Sequence, residues 1–175
     1  MKKTLYLILG ILLLPLALGA QSLPKAEESF AKGDYSSALT QYKQLMQSAT
    51  GEERLHAQLR YAACQYGLGE YLNAAKTIWN YPLPENDLWK VRFLLYRIQI
   101  SDQAASVYRR LLNERQIDSK DAQNDPESWT QAEWESRITQ DYETLWAMRA
   151  ALINFPVERE KIGRASCRER VCLYV

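Results

Sequence analysis

Apolar residues in the central part of the chain recur every three or four positions, and no stretch alternates strictly between apolar and polar residues. This spacing places side chains on one face of an α-helix, whereas a half-buried strand requires alternation. The pattern therefore predicts an all-α fold. The first predicted helices cover residues 25–32, the stretch from Asp34 past Leu45, the stretch from Thr50 to Gly67 or Gly69, and residues 71–81, which Pro82 and Pro84 close.

Residues with positional preferences mark the ends of these helices. Pro24 suits a first helical turn because the N–H it lacks has no partner there in any case. Gly33 suits a helix end, and the Asp34 carboxylate can cap the helix that follows. Thr50 and Glu53 have the spacing of a capping box, in which each side chain accepts from the backbone N–H of the other residue.

Two stretches of this region repeat with an offset of 36 residues. Each contains a glycine, an acidic residue and a tyrosine, then a small residue three positions on and a large one four positions later. This arrangement resembles the helical hairpins of the tetratricopeptide (TPR) family, whose period is 34 residues. The matching positions are Gly33, Tyr35, Ala38 and Tyr42, then Gly69, Tyr71, Ala74 and Ile78, with Ala26 and Ala62 at the small position of the preceding helices.

The resemblance implies antiparallel helical hairpins stacked as a short TPR-like solenoid. In that family the small residue lets two helices approach closely, and the large residue fills the space towards the next hairpin. The first helix of each hairpin lines a concave face, so the resemblance implies a peptide-binding groove with Tyr66, Trp89 and Tyr96 as candidate contacts. The implied partner is another protein or peptide. The alternative is a plain helical bundle.

A third, degenerate repeat is predicted over residues 88–100 and 101–112. Ala104, Tyr108 and Leu111 have the expected relative spacing, but the Gly-x-Tyr turn is missing and Arg92 stands where a small residue belongs. The predicted repeat domain covers residues 21–116.

Residues 117–161 are predicted to form a loop and one long C-terminal helix. The stretch 117–127 is polar, Asp125-Pro126 starts the helix, and the helix runs to about Asn154 before Phe155-Pro156. Its predicted apolar stripe contains Trp134, Ile138, Tyr142, Leu145, Trp146 and Leu152.

The N-terminus has the pattern of a secretory signal peptide over residues 1–20. Lys2 and Lys3 precede an apolar run from Leu5 to Leu18, and small residues follow. The run is shorter than the roughly 20 residues that span a bilayer, although an uncleaved anchor is the alternative. We therefore expect export to a bacterial periplasm or cell envelope, with no membrane span after cleavage.

The last residues, 162–175, have no helical pattern. Residues 162–171 resemble a translated short-read sequencing adaptor, and this resemblance implies that the tail is read-through beyond Lys161 and that the chain is a fragment of a longer protein. The alternative is a basic tail with two thiols, Cys167 and Cys172. Without both end segments the net charge falls from +1 to −3 and only Cys64 remains among the cysteines.

No enzyme motif or paired-cysteine zinc spacing is present, so the sequence predicts no catalytic residue, metal or cofactor. His56 is the only histidine and is expected at the surface near Glu52 and Glu53. The negative charge argues against a nucleic-acid partner, despite the Arg109-Arg110 pair. The five tryptophans, at 79, 89, 129, 134 and 146, are expected in the core more than in a groove.

A second resemblance concerns Trp129 and residues 142–156, which are similar to a segment of large bacterial alpha-2-macroglobulin-like proteins. It implies the N-terminal helical region of a protease inhibitor, although the thioester motif of that family is absent. Three hypotheses therefore remain: an interaction scaffold, such an inhibitor, and a helical region joined to a catalytic domain. The scaffold is the one that the repeats favour.

Overall fold

The computed structural model describes residues 22–114 and 125–152, and these residues form helices and no strand. The predicted all-α class is confirmed. The predicted signal peptide, the tail 162–175 and most of the polar loop lie outside the described residues. The helices are α1 (Leu23–Ala31), α2 (Tyr35–Ser48), α3 (Gly51–Gly67), α4 (Tyr71–Asn80), α5 (Asp87–Glu114), a 3-10 turn (Pro126–Ser128), α6 (Gln131–Ala147) and α7 (Arg149–Leu152).

The two Gly-acid-Tyr turns have the same geometry. Gly33 and Gly69 adopt φ values of 78° and 81°, in the left-handed region that glycine enters without a steric penalty. The N–H of Asp34 donates to Ser29 O at 3.0 Å, and the N–H of Glu70 donates to Gln65 O at 2.9 Å. With the matching glycine N–H bonds, each turn is a Schellman motif.

One predicted cap forms and another does not. The Asp34 carboxylate accepts from the Ser37 N–H at 3.1 Å, as predicted. Thr50 makes no side-chain cap bond, so the predicted capping box is wrong there. The helix begins at Gly51, which has a φ of 56°.

Residues 88–112 form part of one continuous helix, α5, so the prediction of two separate helices there is wrong. No glycine or proline interrupts the chain between Pro84 and Pro126, and nothing local breaks the helix. Ser101, at the predicted break, is fully buried and its hydroxyl accepts from Trp79 Nε1 at 2.9 Å.

The predicted C-terminal helix is shorter than expected. Asp125 caps only the 3-10 turn, and α6 begins after Thr130, which forms a capping box with Glu133. The helix breaks at Met148 before α7. Its predicted stripe is partly wrong, because Asp141 is buried against Arg97 while Tyr142 and Trp146 are exposed.

Each helix from α1 to α6 packs against the next, and α1 also contacts α3 while α3 contacts α5. The core divides into one cluster around α1 to α3 and a larger one from α3 to α6. Tyr35 and Tyr71 are half-buried at the turns. The other positions that suggested the repeat are buried: Ala26, Ala38, Tyr42, Ala62, Ala74 and Ile78.

Candidate functional site

The Glu27 carboxylate is the centre of a group of polar side chains from other helices, on the side that α1, α3 and α5 share. Glu27 of α1 accepts from the Tyr42 hydroxyl of α2. His56 Nε2 of α3 lies 2.7 Å from Glu27 Oε1. Arg60 donates to both carboxylate oxygens, from Nε at 3.1 Å and from Nη2 at 3.2 Å. We call these four residues, with Tyr96, the Glu27 cluster.

Arg60 extends the Glu27 cluster to α5. Its Nη1 donates to the Tyr96 hydroxyl at 3.3 Å, and its guanidinium lies 4.4 Å above the centre of the Phe30 ring. His56 and Arg60 are four residues apart on α3, which places them on one face of the helix. Arg60 thereby joins α1 to α5 by hydrogen bonds, charge and ring contact.

Trp89 is part of the core at the edge of the Glu27 cluster. It is 4% exposed, with the His56 ring edge-on at 6.1 Å and the Arg92 guanidinium 4.4 Å above its ring. Its Nε1 has no acceptor among the described residues. Trp89, predicted as a groove-lining contact, is thus largely covered by helix packing.

Tyr66 and Tyr96, the other two predicted groove residues, are half-buried where α3 meets α5. Tyr66 hydrogen-bonds with Gln99 and contacts the Tyr71 ring edge-on at 5.2 Å, and burial raises its pKa. Tyr96 accepts from Arg60. The structure places both side chains across the same pair of helices, each with a different polar partner.

Burial and the hydrogen bonds of the Glu27 cluster shift the pKa values of Glu27 and Tyr42. Burial alone would raise the pKa of Glu27, but hydrogen bonds from His56 and Tyr42 and the charge of Arg60 outweigh burial and hold that pKa at about 2. Burial and the Glu27 carboxylate raise the pKa of Tyr42. Burial also raises the pKa of the nearby Cys64 thiol to about 12, so that thiol stays protonated. The arrangement holds the Glu27 carboxylate, the Tyr42 hydroxyl and the Arg60 guanidinium in one hydrogen-bonded group.

The apolar periodicity of the sequence did not identify Glu27 and Arg60 as site residues. Each follows a buried residue directly, Ala26 and Leu59, so each borders a predicted apolar face. That position was the only available signal. His56, expected at the surface beside Glu52 and Glu53, is instead half-buried against Glu27 and Trp89.

Three of the other four tryptophans pack where α4, α5 and α6 meet, away from the Glu27 cluster. The Trp79 and Trp129 rings meet edge-on at 5.0 Å, and Trp129 meets Trp134 at 4.9 Å. Arg97 lies 3.9 Å above the Trp79 ring and pairs with the buried Asp141, with Nε to Oδ2 at 2.6 Å. These contacts place three tryptophans in the core of the α4–α6 region.

Among residues 22–114 and 125–152, no group of three or more His, Cys, Asp or Glu side chains is placed to hold a metal ion. None of the described helices is long and apolar enough to cross a membrane. Comparisons with protein families, with curated proteins and with solved structures give no match.

Proposed function

We propose that the chain is an exported, TPR-like scaffold of the bacterial cell envelope that acts by binding another protein or peptide. The observation that carries this proposal is the equivalence of the two turns. At an offset of 36 residues, Gly33 and Gly69 have the same backbone conformation and the same pair of hydrogen bonds. The alanines after both turns, Ala38 and Ala74, are fully buried.

Packing next to Gly67 supports antiparallel pairing of α2 and α3. Gly67 is the last residue of α3 and Tyr35 is the first of α2. A Cβ added to Gly67 would lie 2.6 Å from Tyr35 Cδ2, so the ring rests directly on the glycine. The beginning of one helix therefore meets the end of the next, as stacked hairpins require.

The docking side in this proposal is the one that α1, α3 and α5 share. Neighbouring hairpins in a TPR array present their first helices side by side, and α1 contacts α3 while α3 contacts α5. The Glu27 cluster lies on this side and offers polar groups that other side chains already hold in place. A rigid surface of this kind loses little conformational entropy when a partner binds.

A photocrosslinking experiment in the producing cell tests the docking side. Ala63, three residues after Arg60 on α3, is replaced by a photoreactive amino acid, and Gln44, exposed on α2, is the matched control. We expect one discrete protein adduct from position 63 and none from position 44. Equal adducts from both positions, or no adduct from position 63, would contradict the proposed docking side.

Export is tested separately by N-terminal sequencing of the protein recovered outside the cytoplasm. We expect the mature chain to begin at residue 20 or 21, and a retained Met1 would contradict the proposal. The macroglobulin-like alternative, which rests on Trp129 and residues 142–156, stays a prediction.

A further inference from the structure

The outer face of α6 carries two exposed aromatic side chains one helical turn apart. Tyr142 is 57% exposed and Trp146 is 70% exposed, the highest value among the large hydrophobic residues described. A different face of the helix, about 80–140° away, is buried through Trp134 and Asp141. Large exposed aromatic side chains of this kind are enriched at protein interfaces.

The aromatic pair is held on a rigid helix. The buried Arg97–Asp141 ion pair fixes α6 against α5, and the capping box between Thr130 and Glu133 fixes the start of α6. The Arg149 guanidinium lies 4.8 Å above the Trp146 ring, and its Nη1 donates to Trp146 O at 2.8 Å. The indole is thus positioned before any partner arrives, and tryptophan, tyrosine and arginine are the residue types that dominate binding energy at interfaces.

The charges along this face complement a second copy of the same face. At 100° per residue, Glu135, Tyr142 and Trp146 lie within about 40° of one another, and Glu143 borders them. Arg149 lies at the C-terminal end, over Trp146. In an antiparallel pair, the arginine of each copy would approach the carboxylates of the other, with the aromatic rings between them.

We propose that α6 is a self-association surface through which two copies pair about a two-fold axis. The proposal does not depend on the docking side of α1, α3 and α5. Two aromatic side chains of about 150–250 Å² each supply less than the roughly 800 Å² per partner of a standard interface, so we expect a weak dimer.

Sedimentation equilibrium of the purified chain over a concentration series tests the proposal. We expect a monomer–dimer equilibrium, which Trp146→Ala weakens at least tenfold. Val107→Ala is the matched control, because Val107 is 51% exposed but lies on α5, and it should leave the equilibrium unchanged. A chain that stays monomeric at every concentration overturns the proposal. The same holds if the monomer uses α6 to bind another protein. Equal effects of both variants overturn it too.

Charge reversal tests the pairing geometry. Arg149→Glu and Glu143→Arg should each weaken the dimer, and the double variant should recover at least half of the lost affinity because opposite charges face each other again. A double variant no tighter than the weaker single variant contradicts the antiparallel arrangement. Circular dichroism of each variant checks that α6 still folds.

Discussion

Because Tyr35 packs on Gly67, the effect of Gly67→Ala on stability should change sign when the tyrosine is removed. Gly67→Ala in an isolated helix would stabilise by about 1 kcal/mol, because alanine is the better helix former. Here the new methyl group would lie 2.6, 2.7 and 2.9 Å from Cδ2, Cε2 and Cγ of Tyr35. The ring is already packed edge-on against Phe30 at 5.4 Å, so it has little room to move away.

Overpacking of this kind costs about 1–3 kcal/mol, which offsets or exceeds the gain of about 1 kcal/mol from helix propensity, so Gly67→Ala should destabilise the chain by a net of up to ~2 kcal/mol. In a Tyr35→Ala background the clash is gone, and the same substitution should stabilise by up to about 1 kcal/mol. Urea unfolding followed by circular dichroism measures all four variants of the cycle. Gly67→Ala that stabilises equally in both backgrounds would show that the tyrosine does not rest on the glycine.

Two further predictions concern the charged pairs. Because the pKa of Glu27 is about 2 when folded and 4.5 unperturbed, its contribution is present above pH 4.5 and is lost as pH falls through 2. Since 33% of its side chain is exposed, we expect acidification to lower the free energy of unfolding by about 1–2 kcal/mol through Glu27. Glu27→Gln should abolish this loss, and an unchanged dependence of stability on acid pH in that variant would refute the prediction. Asp141→Leu should lower the free energy of unfolding by about 3–5 kcal/mol because it leaves Arg97 buried and unpaired, and adding Arg97→Met should recover most of that loss. Thermal melts in which the double variant is less stable than Asp141→Leu would contradict this.

Local patterns predicted the parts of the fold that depend on neighbouring residues. The glycine turns, the Asp34 cap and the buried alanines follow from spacing within about ten residues, and the structure has them. Continuous α5 could have been predicted as well, since the stretch lacks any helix breaker. The weak repeat signal around Ala104 led to the wrong division.

The contacts that hold the candidate site together are distant in sequence. Glu27 and Arg60 are 33 residues apart, and Arg97 and Asp141 are 44 residues apart. A periodicity analysis places charged residues on solvent faces, so it could predict neither pair. The same limit applies to Tyr142, which periodicity placed on the buried stripe although a buried ion pair occupies that face.

The most direct test of the account is whether Ala38 and Ala74 both lie at close helix contacts. Both are fully buried, whereas Ala132 on α6 is exposed and serves as the matched control. We expect Ala38→Leu and Ala74→Leu each to lower the free energy of unfolding by ~1–3 kcal/mol, with Ala132→Leu close to wild type. Wild-type stability in either of the first two variants would contradict the paired helix packing on which the proposed scaffold depends.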